Sequence, residues 1–590
     1  MSKFKGLAKN RAIKVTSEAK VDAISTRIIA SFQNITCSKN YGYFMNLNAS
    51  SAVTEETYKD IRLLYNTQSL PKEVASKFGA DSLYYSVTRE TLVSFNNIEC
   101  IQNFDFRCMA IQSNEANVTI RNSKIVGQSG NTTLKNGAGL LLVANIAALL
   151  NVLNTNFTLN GAILGGCVFA NAPNGTFIAK FSNVEFKHCE ALKTGCALAV
   201  GEPPLQRQHY ASCPSKMLLT ISNVNIAGCR GKAVHKCTIV FLCLKSGVIT
   251  ITESQWMNNV HKISSSLHIT TEIGNGKTAI IVTKCSFRDN EGSSILMKTP
   301  NSNGGNVTIV DTLIANNVTK PGTALFISPK YLLKLVNVSV VHAHYGLKII
   351  SKPDPTQEVF PVDISIYNCS FKNNIYDMLF SLRDPSSLRL MIQNTVFTSK
   401  ESRNRSYAIY FHIPSLTKLN ISEAVIGLEN NTFEYRPSTN FALFFRGRKT
   451  LWIRRSTFRN CACLYREKWP KPRSSVSADS YFYETATGAL SIITALDTPL
   501  KSGCVQRNTT NNTHPLWTYG CDVVKLVGEV SLDSGMEDYE ECDEVLVETV
   551  LSGGFVNGVS CSGERPVEEG GGCFARRVIL GVGVSKKFHL

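Results

Sequence analysis

A short pattern recurs between about residue 118 and residue 464, and it constrains the possible folds more than any other feature of this sequence. Each copy contains two alternating apolar residues, a polar residue that is often Asn, a small or β-branched residue, and a large apolar residue. Alternating apolar residues indicate a strand with one buried face, because successive side chains of a strand point to opposite sides. The large apolar anchors that end the copies are Ile125, Phe157, Phe186, Ile226, Trp256, Phe287, Ile314, Val340, Phe371, Phe397, Val425 and Phe458.

The mean spacing of these anchors is about 30 residues, which is typical of a solenoid whose repeats bury their apolar faces by stacking. We expect a sharp corner three residues before the anchor, because Asn tolerates the left-handed backbone conformation. Polar pairs and then a strand of small residues follow the anchor, so each turn is predicted to contain three short strands. The Asn residues at the predicted corner are Asn122, Asn154, Asn183, Asn223, Asn337, Asn368 and Asn394.

The segments FRDN at 287–290 and FKNN at 371–374, together with GGCV at 165–168, carry a resemblance to known repeats. They resemble the FxxN and GGAI repeats of polymorphic outer-membrane adhesins, and the whole pattern resembles the right-handed parallel β-helix of the pectin-lyase-like fold. Uncharacterised extracellular animal proteins contain similar repeats. The resemblance covers about 350 of the 590 residues and implies more about fold than about function.

We therefore predict an all-β chain, folded as a right-handed parallel β-helix of about twelve coils over residues 86–464. Residues 1–85 lack the repeat and are predicted to form an N-terminal cap or flank, which solenoids need to cover the end of the core. Residues 465–590 are rich in Cys and Gly and are interpreted as a loop-rich C-terminal flank or an incorrectly predicted tail.

The sequence contains 15 Asn-x-Ser/Thr sequons, about twice the number that chance would give, which favours a secreted glycoprotein. The alternative is that sequons arise from an Asn- and Thr-rich repeat. The candidate glycosylation sites are Asn34, Asn48, Asn117, Asn131, Asn156, Asn174, Asn306, Asn317, Asn337, Asn368, Asn404, Asn420, Asn430, Asn508 and Asn511.

The 19 cysteines include no CxxC pair, so disulfides are favoured over zinc. Cys167 and Cys196 occupy equivalent positions after their anchors, and so do Cys189 and Cys229. Equivalent positions on neighbouring turns lie about 4.8 Å apart, so the pairs Cys167–Cys196 and Cys189–Cys229 are disulfide candidates. An unbonded stack of buried thiols is the alternative.

The formal net charge is +17, and a basic cluster lies between residues 446 and 473. It can hold a sulfated or carboxylated polysaccharide through ion pairs and the planar Arg fork, or it can simply solvate turns and cap the last coil. An acidic run from Glu529 to Glu548 is available to fold back on it. The candidate polyanion-binding residues are Arg446, Arg448, Lys449, Arg454, Arg455 and Arg459.

Enzymes on the fold that this chain resembles need paired carboxylates, or acidic calcium ligands beside a basic residue. The Asp residues of the repeat region fall at different offsets, so no two neighbouring turns are predicted to stack carboxylates. His342 and His344 share a face of a strand, but no third metal ligand is visible. We expect no catalytic residues, no metal and no cofactor.

The predicted function is a non-catalytic extracellular or cell-surface β-helix scaffold for adhesion or glycan recognition. A polysaccharide lyase or hydrolase is the alternative. The expected partner is an anionic polysaccharide or another cell-surface protein, with no nucleic acid and no membrane span. Because the basic first residues lack the apolar segment of a signal peptide, we expect the chain to be a fragment.

Overall fold

The computed structural model shows an all-β chain, with no helix among the residues that it describes. These residues are 2–5, 13–16, 27–38, 45–65, 82–102, 107–127, 137–173, 175–202, 212–231, 237–261, 265–272, 277–299, 305–316, 319, 321–351, 361–382, 387–399, 406–412, 424–435, 440–446, 450–454, 457–459, 490–493, 503–507, 516–519, 524–527, 531–533 and 559–560.

The chain divides into two compact units, Met1–Asn306 with Ala315–Gly322 and Val307–Ile314 with Thr323–Leu590. In each unit, parallel strands pair from one turn to the next and form three ladders. We call these ladders face A, which precedes the corner Asn, face B, which carries the anchor, and face C, which follows the anchor.

Several strands of the first unit run through a corner and contribute to more than one face. They are Met45–Tyr65, Ser82–Gln102, Arg107–Arg121, Leu140–Thr158 and Thr176–Lys187. The strands of face A alone are Arg27–Gln33, Lys216–Ser222, Gly247–Thr252 and Thr278–Thr283. Those of face B are Ser2–Lys5, Ile35–Ser38, Lys124–Val126, Asn225–Ala227, Gln255–Met257 and Ser286–Arg288. Those of face C are Ile13–Thr16, Val168–Asn171, Leu198–Val200, Val240–Leu244, Ser265–Thr271 and Ser293–Lys298. A separate parallel sheet contains Gly161–Leu164, Glu190–Thr194 and Arg230–Gly231.

The second unit repeats the three faces with shorter strands. Face A contains Gly305–Val310, Tyr331–Val336, Pro361–Tyr367, Ser387–Gln393, Ala424–Glu429, Thr450–Arg454 and Val524–Val527. Face B contains Leu313–Ala315, Ser339–Val341, Ser370–Lys372, Val396–Ser399, Thr432–Tyr435, Thr457–Arg459 and Ser531–Asp533. Face C contains Thr323–Ile327, Tyr345–Ile350, Tyr376–Ser381, Ser406–His412 and Asn440–Arg446. A further sheet contains Leu490–Ile493, Gly503–Arg507, Leu516–Tyr519 and Val559–Ser560.

These ladders confirm the predicted parallel β-helix, with about nine turns where the anchors predicted twelve. Parallel pairing already joins Arg27–Gln33 to Met45–Tyr65, which lies before residue 86.

The anchors form stacked columns in the core of each unit. In the first unit, the rings of Phe157 and Phe186 lie 5.1 Å apart and those of Trp256 and Phe287 lie 4.5 Å apart, both pairs nearly parallel. In the second unit, Phe397 stacks on Phe433 at 4.6 Å. Parallel, in-register strands produce this contact because equivalent residues lie one strand spacing apart.

One predicted anchor is wrong. Val425 lies in a strand of face A, where it pairs with Arg389, and the anchor of that turn is Phe433. The turn between Phe397 and Phe433 is longer than its neighbours. The repeat pattern therefore fits residues around Val425 that precede the true corner. That corner is Asn430, which has a positive φ of 54°.

The predicted corner Asn residues have φ between 48° and 54°, in the left-handed region. Their exposed side chains also form amide ladders. In the first unit, Asn183 Nδ2 donates to Asn154 Oδ1 over 3.0 Å, and Asn223 Nδ2 donates to Asn183 Oδ1 over 2.7 Å. In the second unit, Asn337 Nδ2 donates to Asp311 Oδ1 over 2.8 Å. The corners are therefore fixed by backbone conformation and by hydrogen bonds between turns.

Candidate functional site

Face C of the second unit presents a row of half-buried side chains on its outer side. In the strands Tyr345–Ile350 and Tyr376–Ser381, the first and fourth residues are half-buried, whereas the second, third and fifth are buried. Tyr345 and Lys348 are thus outward in one turn, and Tyr376 and Leu379 are outward in the next. The register pairs Tyr345 with Tyr376 and Lys348 with Leu379.

We call this row the aromatic strip and define it as Phe326, His344, Tyr345, Lys348, Tyr376, Leu379 and Tyr410. The rings of Tyr345 and Tyr376 stack at 5.0 Å with an interplanar angle of 15°. The His344 ring packs edge-on against both, at 4.5 Å from Tyr345 and 5.7 Å from Tyr376. The contacts hold the two tyrosines in one orientation.

Lys348 lies against these rings. Lys348 Nζ is 4.4 Å from the centre of the Tyr345 ring and 5.9 Å from the centre of the Phe326 ring. An ammonium over an aromatic face is attracted by the negative charge density of the ring, which fixes the position of the charge.

The ladder extends these positions into further turns. Tyr376 pairs with Tyr407, and Leu379 pairs with half-buried Tyr410. The backbone positions that follow belong to Phe441 and Phe444.

Partial removal from water shifts three pKa values in the aromatic strip. Burial lowers the pKa of Lys348, and burial lowers the pKa of His344, with the charge of Lys348 adding to the effect. Burial raises the pKa of Tyr345, and Tyr376 adds to that shift. All three shifts favour the neutral form, so a nearby anion would stabilise the charged form of Lys348.

The corresponding outer side of face C is covered in four turns of the first unit, whereas the next two turns present half-buried His268 and Leu296 there. Leu141, Phe169, Ala199 and Phe241 follow one another in register there and are at most 6% exposed. Leu164 of the small separate sheet belongs to the same apolar cluster. A ligand cannot reach these positions, whereas it can reach the half-buried aromatic strip of the second unit.

The strip was missed from sequence because tyrosines near the repeat were not aligned by turn. Tyr345, Tyr376 and Tyr407 recur at the period of the repeat, on a strand that follows the anchor. That recurrence is the signal that would have found it, since side chains at equivalent positions of a β-helix lie on one face.

The predicted glycosylation sites fall into three groups. Asn34, Asn156 and Asn306 are exposed, and Asn117 is half-buried. Asn337, Asn368 and Asn430 are exposed corner residues whose side-chain amides donate to the preceding turn of the Asn ladder. Asn48 lies in a strand, and the sites outside the described residues are Asn131, Asn174, Asn317, Asn404, Asn420, Asn508 and Asn511. Glycosylation remains a prediction.

The predicted disulfide pairs are corrected by the structure. Cys167 bonds to Cys189, with their Cα atoms 6.0 Å apart, whereas Cys196 and Cys229 are free and buried. Equivalent positions point their Cβ atoms in the same direction, so adjacency alone does not direct two sulfurs at each other. Two further disulfides, Cys100–Cys108 and Cys213–Cys243, join cysteines that were not paired from sequence.

The basic cluster is only partly described. Arg446, Arg454 and Arg459 lie in strands, where the register aligns Arg454 with Glu429 and Arg459 with both Glu434 and Asp533. Arg448, Lys449 and Arg455 lie outside the described residues. The register places acidic residues beside two of the arginines, and polyanion binding at the cluster stays a prediction.

Other chemically suggestive groups do not form an accessible site. His261 Nε2 lies 3.2 Å from Ser266 Oγ, but these residues are 1% and 0% exposed. Among the described residues, the one group of three potential metal ligands within 4.8 Å is Cys213, Cys243 and Glu272. Its two sulfurs form a disulfide and are not thiolate donors.

Within the described parts of the chain, no helix has the length and apolar character needed to cross a bilayer. Comparisons of the chain with protein-family models, with curated proteins and with solved structures find no match.

Proposed function

We propose that this protein is a non-catalytic β-helix that binds an extended, anionic carbohydrate chain along the aromatic strip of its second unit. The observation that carries this proposal is the stacked pair Tyr345 and Tyr376 with the Lys348 ammonium 4.4 Å above the first ring. The pair lies on an outer face that is half-buried and accessible.

The chemistry of the strip suits a sugar better than a wholly apolar ligand. A pyranose ring has apolar C–H faces, which pack against the negative faces of aromatic rings, and hydroxyl groups, which need polar partners at the edges. Tyrosine offers both a ring and a hydroxyl, and Lys348 offers a cation for a carboxylate or sulfate. The ring stacking fixes these groups before binding, so little side-chain entropy is lost on association.

The direction of the ligand follows from the repeat. Equivalent side chains of parallel strands lie about 4.8 Å apart, so the strip presents similar contacts from turn to turn. A chain of similar sugar units can use these contacts successively, and its affinity would grow with the number of units bound.

The cysteines support placing this function in an oxidising compartment. The chain contains disulfides in its first unit, and structural disulfides persist mainly in secreted and extracellular proteins. We propose an extracellular or cell-surface location, where polysaccharides and other surface proteins are the available partners.

Binding can be tested with the full chain and a panel of immobilised pectins, alginates and glycosaminoglycans. We expect retention of the protein by at least one anionic polysaccharide, without any decrease in polymer length. Depolymerisation would instead support a polysaccharide lyase or hydrolase. No retention by any member of the panel would contradict the proposal.

The charged class of the ligand is tested by Lys348→Met, with Lys334→Met as the matched control. Lys334 is an exposed lysine of face A in the same unit. We expect Lys348→Met to weaken binding about tenfold and to reduce its salt dependence, because one ion pair is lost. Equal effects of the two substitutions would mean that general surface charge, and not the strip, holds the polymer.

A further inference from the structure

Two free cysteines of the first unit lie in contact inside the core. The sulfur atoms of Cys196 and Cys237 are 3.4 Å apart, and the two residues are 0% and 3% exposed. A Cys237 thiol also lies 3.5 Å from the carbonyl oxygen of Ala191. The sulfurs are close enough that a small side-chain movement would bring them to bonding distance, which is about 2.05 Å.

The backbone geometry around these residues suits a covalent link. Cys196 N–H donates to the carbonyl oxygen of Thr238, the residue that follows Cys237, so the two cysteines lie on adjacent turns. Adjacent parallel strands lie about 4.8 Å apart, and disulfides span Cα separations of about 4.4–6.8 Å, so the spacing of the turns suits a covalent link.

We propose that Cys196 and Cys237 form a further disulfide that joins consecutive turns of the first unit. A low-molecular-weight disulfide such as oxidised glutathione is the oxidant. One protein thiolate attacks it, forms a mixed disulfide and releases one glutathione. The second thiolate then attacks the protein-side sulfur and releases the other glutathione, so two thiols are oxidised and one disulfide is reduced.

The other cysteines nearby are less suitable partners. Cys167 and Cys189 are already bonded to each other. Cys229 lies at the corner after face B, where its thiol is 3.8 Å from the carbonyl oxygen of Phe186 and 3.7 Å from that of Ala227. The sulfur of Cys196 is in contact with that of Cys237, at 3.4 Å, whereas these contacts of the Cys229 sulfur are with carbonyl oxygens.

The thiol–disulfide exchange that forms this bond must take place while the chain folds. Burial raises the pKa of Cys196 well above 9.0, and the adjacent Cys237 adds to this effect. A buried thiol with a raised pKa has little thiolate and no access to glutathione, so a protein that was reduced and already folded would oxidise slowly.

The link can be read directly by peptide mapping. The full chain is refolded in a glutathione redox buffer, its free thiols are blocked at acidic pH, and it is digested with trypsin without reduction. Cleavage isolates Cys196 in residues 194–207, Cys229 in residues 217–230 and Cys213 in residues 208–216, whereas Cys237 and Cys243 share residues 237–245. With the Cys213–Cys243 bridge, the proposal predicts one three-peptide species of 194–207, 208–216 and 237–245.

Two variants test which cysteine is the partner of Cys196. Cys237→Ser should abolish the link to 194–207 and leave Cys196 blocked by the alkylating agent, whereas Cys229→Ser should retain the three-peptide species. Recovery of Cys196 and Cys237 as blocked thiols, in material where Cys167 and Cys189 are bridged, would overturn the proposal. So would a bond between Cys196 and Cys229. If Cys237→Ser does not fold, the map of the unsubstituted chain decides the question alone.

Discussion

Asn290 is completely buried in the first unit, and its side chain connects neighbouring turns. Its Nδ2 donates to the carbonyl oxygen of Trp256 over 3.0 Å. Its Oδ1 accepts from the backbone N–H and from the Nδ2 of Asn259, over 3.1 Å and 3.0 Å. A single amide therefore satisfies three polar groups that have no access to water.

The substitution Asn290→Leu keeps a side chain of similar size but removes all three hydrogen bonds. A buried polar group left without a partner costs about 1–3 kcal/mol, and Asn259 Nδ2 keeps a second partner in the carbonyl oxygen of Ile226. With some local relaxation, the loss of these bonds should lower the free energy of unfolding by about 2–4 kcal/mol. The neighbouring Asp289 provides a control, because it is exposed and has a φ of 52°. Asp289→Gly should change stability by no more than about 1 kcal/mol, since glycine adopts this conformation without strain but loses more entropy on folding.

Urea unfolding of the full chain, followed by far-ultraviolet circular dichroism, measures both effects under the same conditions. A repeat protein can unfold in more than one step, so the comparison uses the transition of each variant against that of the unsubstituted chain. If Asn290→Leu unfolds within about 1 kcal/mol of the unsubstituted protein, the interior hydrogen bonds do not hold the turns together and the reasoning is refuted.

Three other positions, Gly166, Cys285 and Lys348, allow tests of stability or of binding. Gly166→Ala should lower the free energy of unfolding in urea by about 3 kcal/mol, because the added Cβ would lie 2.1 Å from the carbonyl oxygen of Glu190. The control is Gly427→Ala, whose Cβ would meet only the flexible side chain of Met391 and should cost about 1 kcal/mol or less. Burial raises the pKa of Cys285 from 9.0 to about 11. Between these pH values the thiol ionises in the unfolded chain but not in the folded one, so the free energy of unfolding is unaffected by this group below pH 9 and falls as the pH rises to about 11. This loss amounts to about 3 kcal/mol, and unfolding midpoints across that range should fall less for Cys285→Ser; an equal fall would contradict the assignment. Binding of an anionic glycan should weaken as the pH rises through the pKa of Lys348, and the midpoint should lie below 10.5 because burial lowers that pKa. Affinity titrations that show no change up to pH 10.5 would contradict a role for the charge of Lys348.

The corners of the β-helix could be predicted from the sequence because a single physical requirement determines them. A left-handed residue is needed where face A turns into face B, and Asn satisfies it at Asn122, Asn154 and Asn183 in successive turns. The prediction failed at Val425, where a longer turn moved the corner to Asn430 and the pattern was matched too early. The repeat pattern in the sequence therefore predicts the corners well where the turns have a constant length.

Side-chain partners were harder to predict because they depend on direction as well as on turn spacing. Cys167 and Cys196 stand in equivalent positions, yet Cys167 bonds to Cys189 across a corner. The aromatic strip also depends on the third strand of each turn, whose small residues carry a weaker pattern than the anchors. Its tyrosines are outward in the strands that begin at Tyr345 and Tyr376, and only alignment by turn reveals that they form one column.

The central claim, that the aromatic strip binds carbohydrate, is tested most directly by calorimetric titration of one retained polysaccharide against two tyrosine variants. The double substitution Tyr345→Ala and Tyr376→Ala removes the stacked pair, whereas Tyr367→Ala removes a tyrosine that is 46% exposed on face A of the same unit. Stacking on an aromatic ring contributes about 1–3 kcal/mol, so the double variant should bind at least about tenfold more weakly while Tyr367→Ala binds like the unsubstituted protein. Unchanged affinity in the double variant, or an equal loss in Tyr367→Ala, would contradict the account.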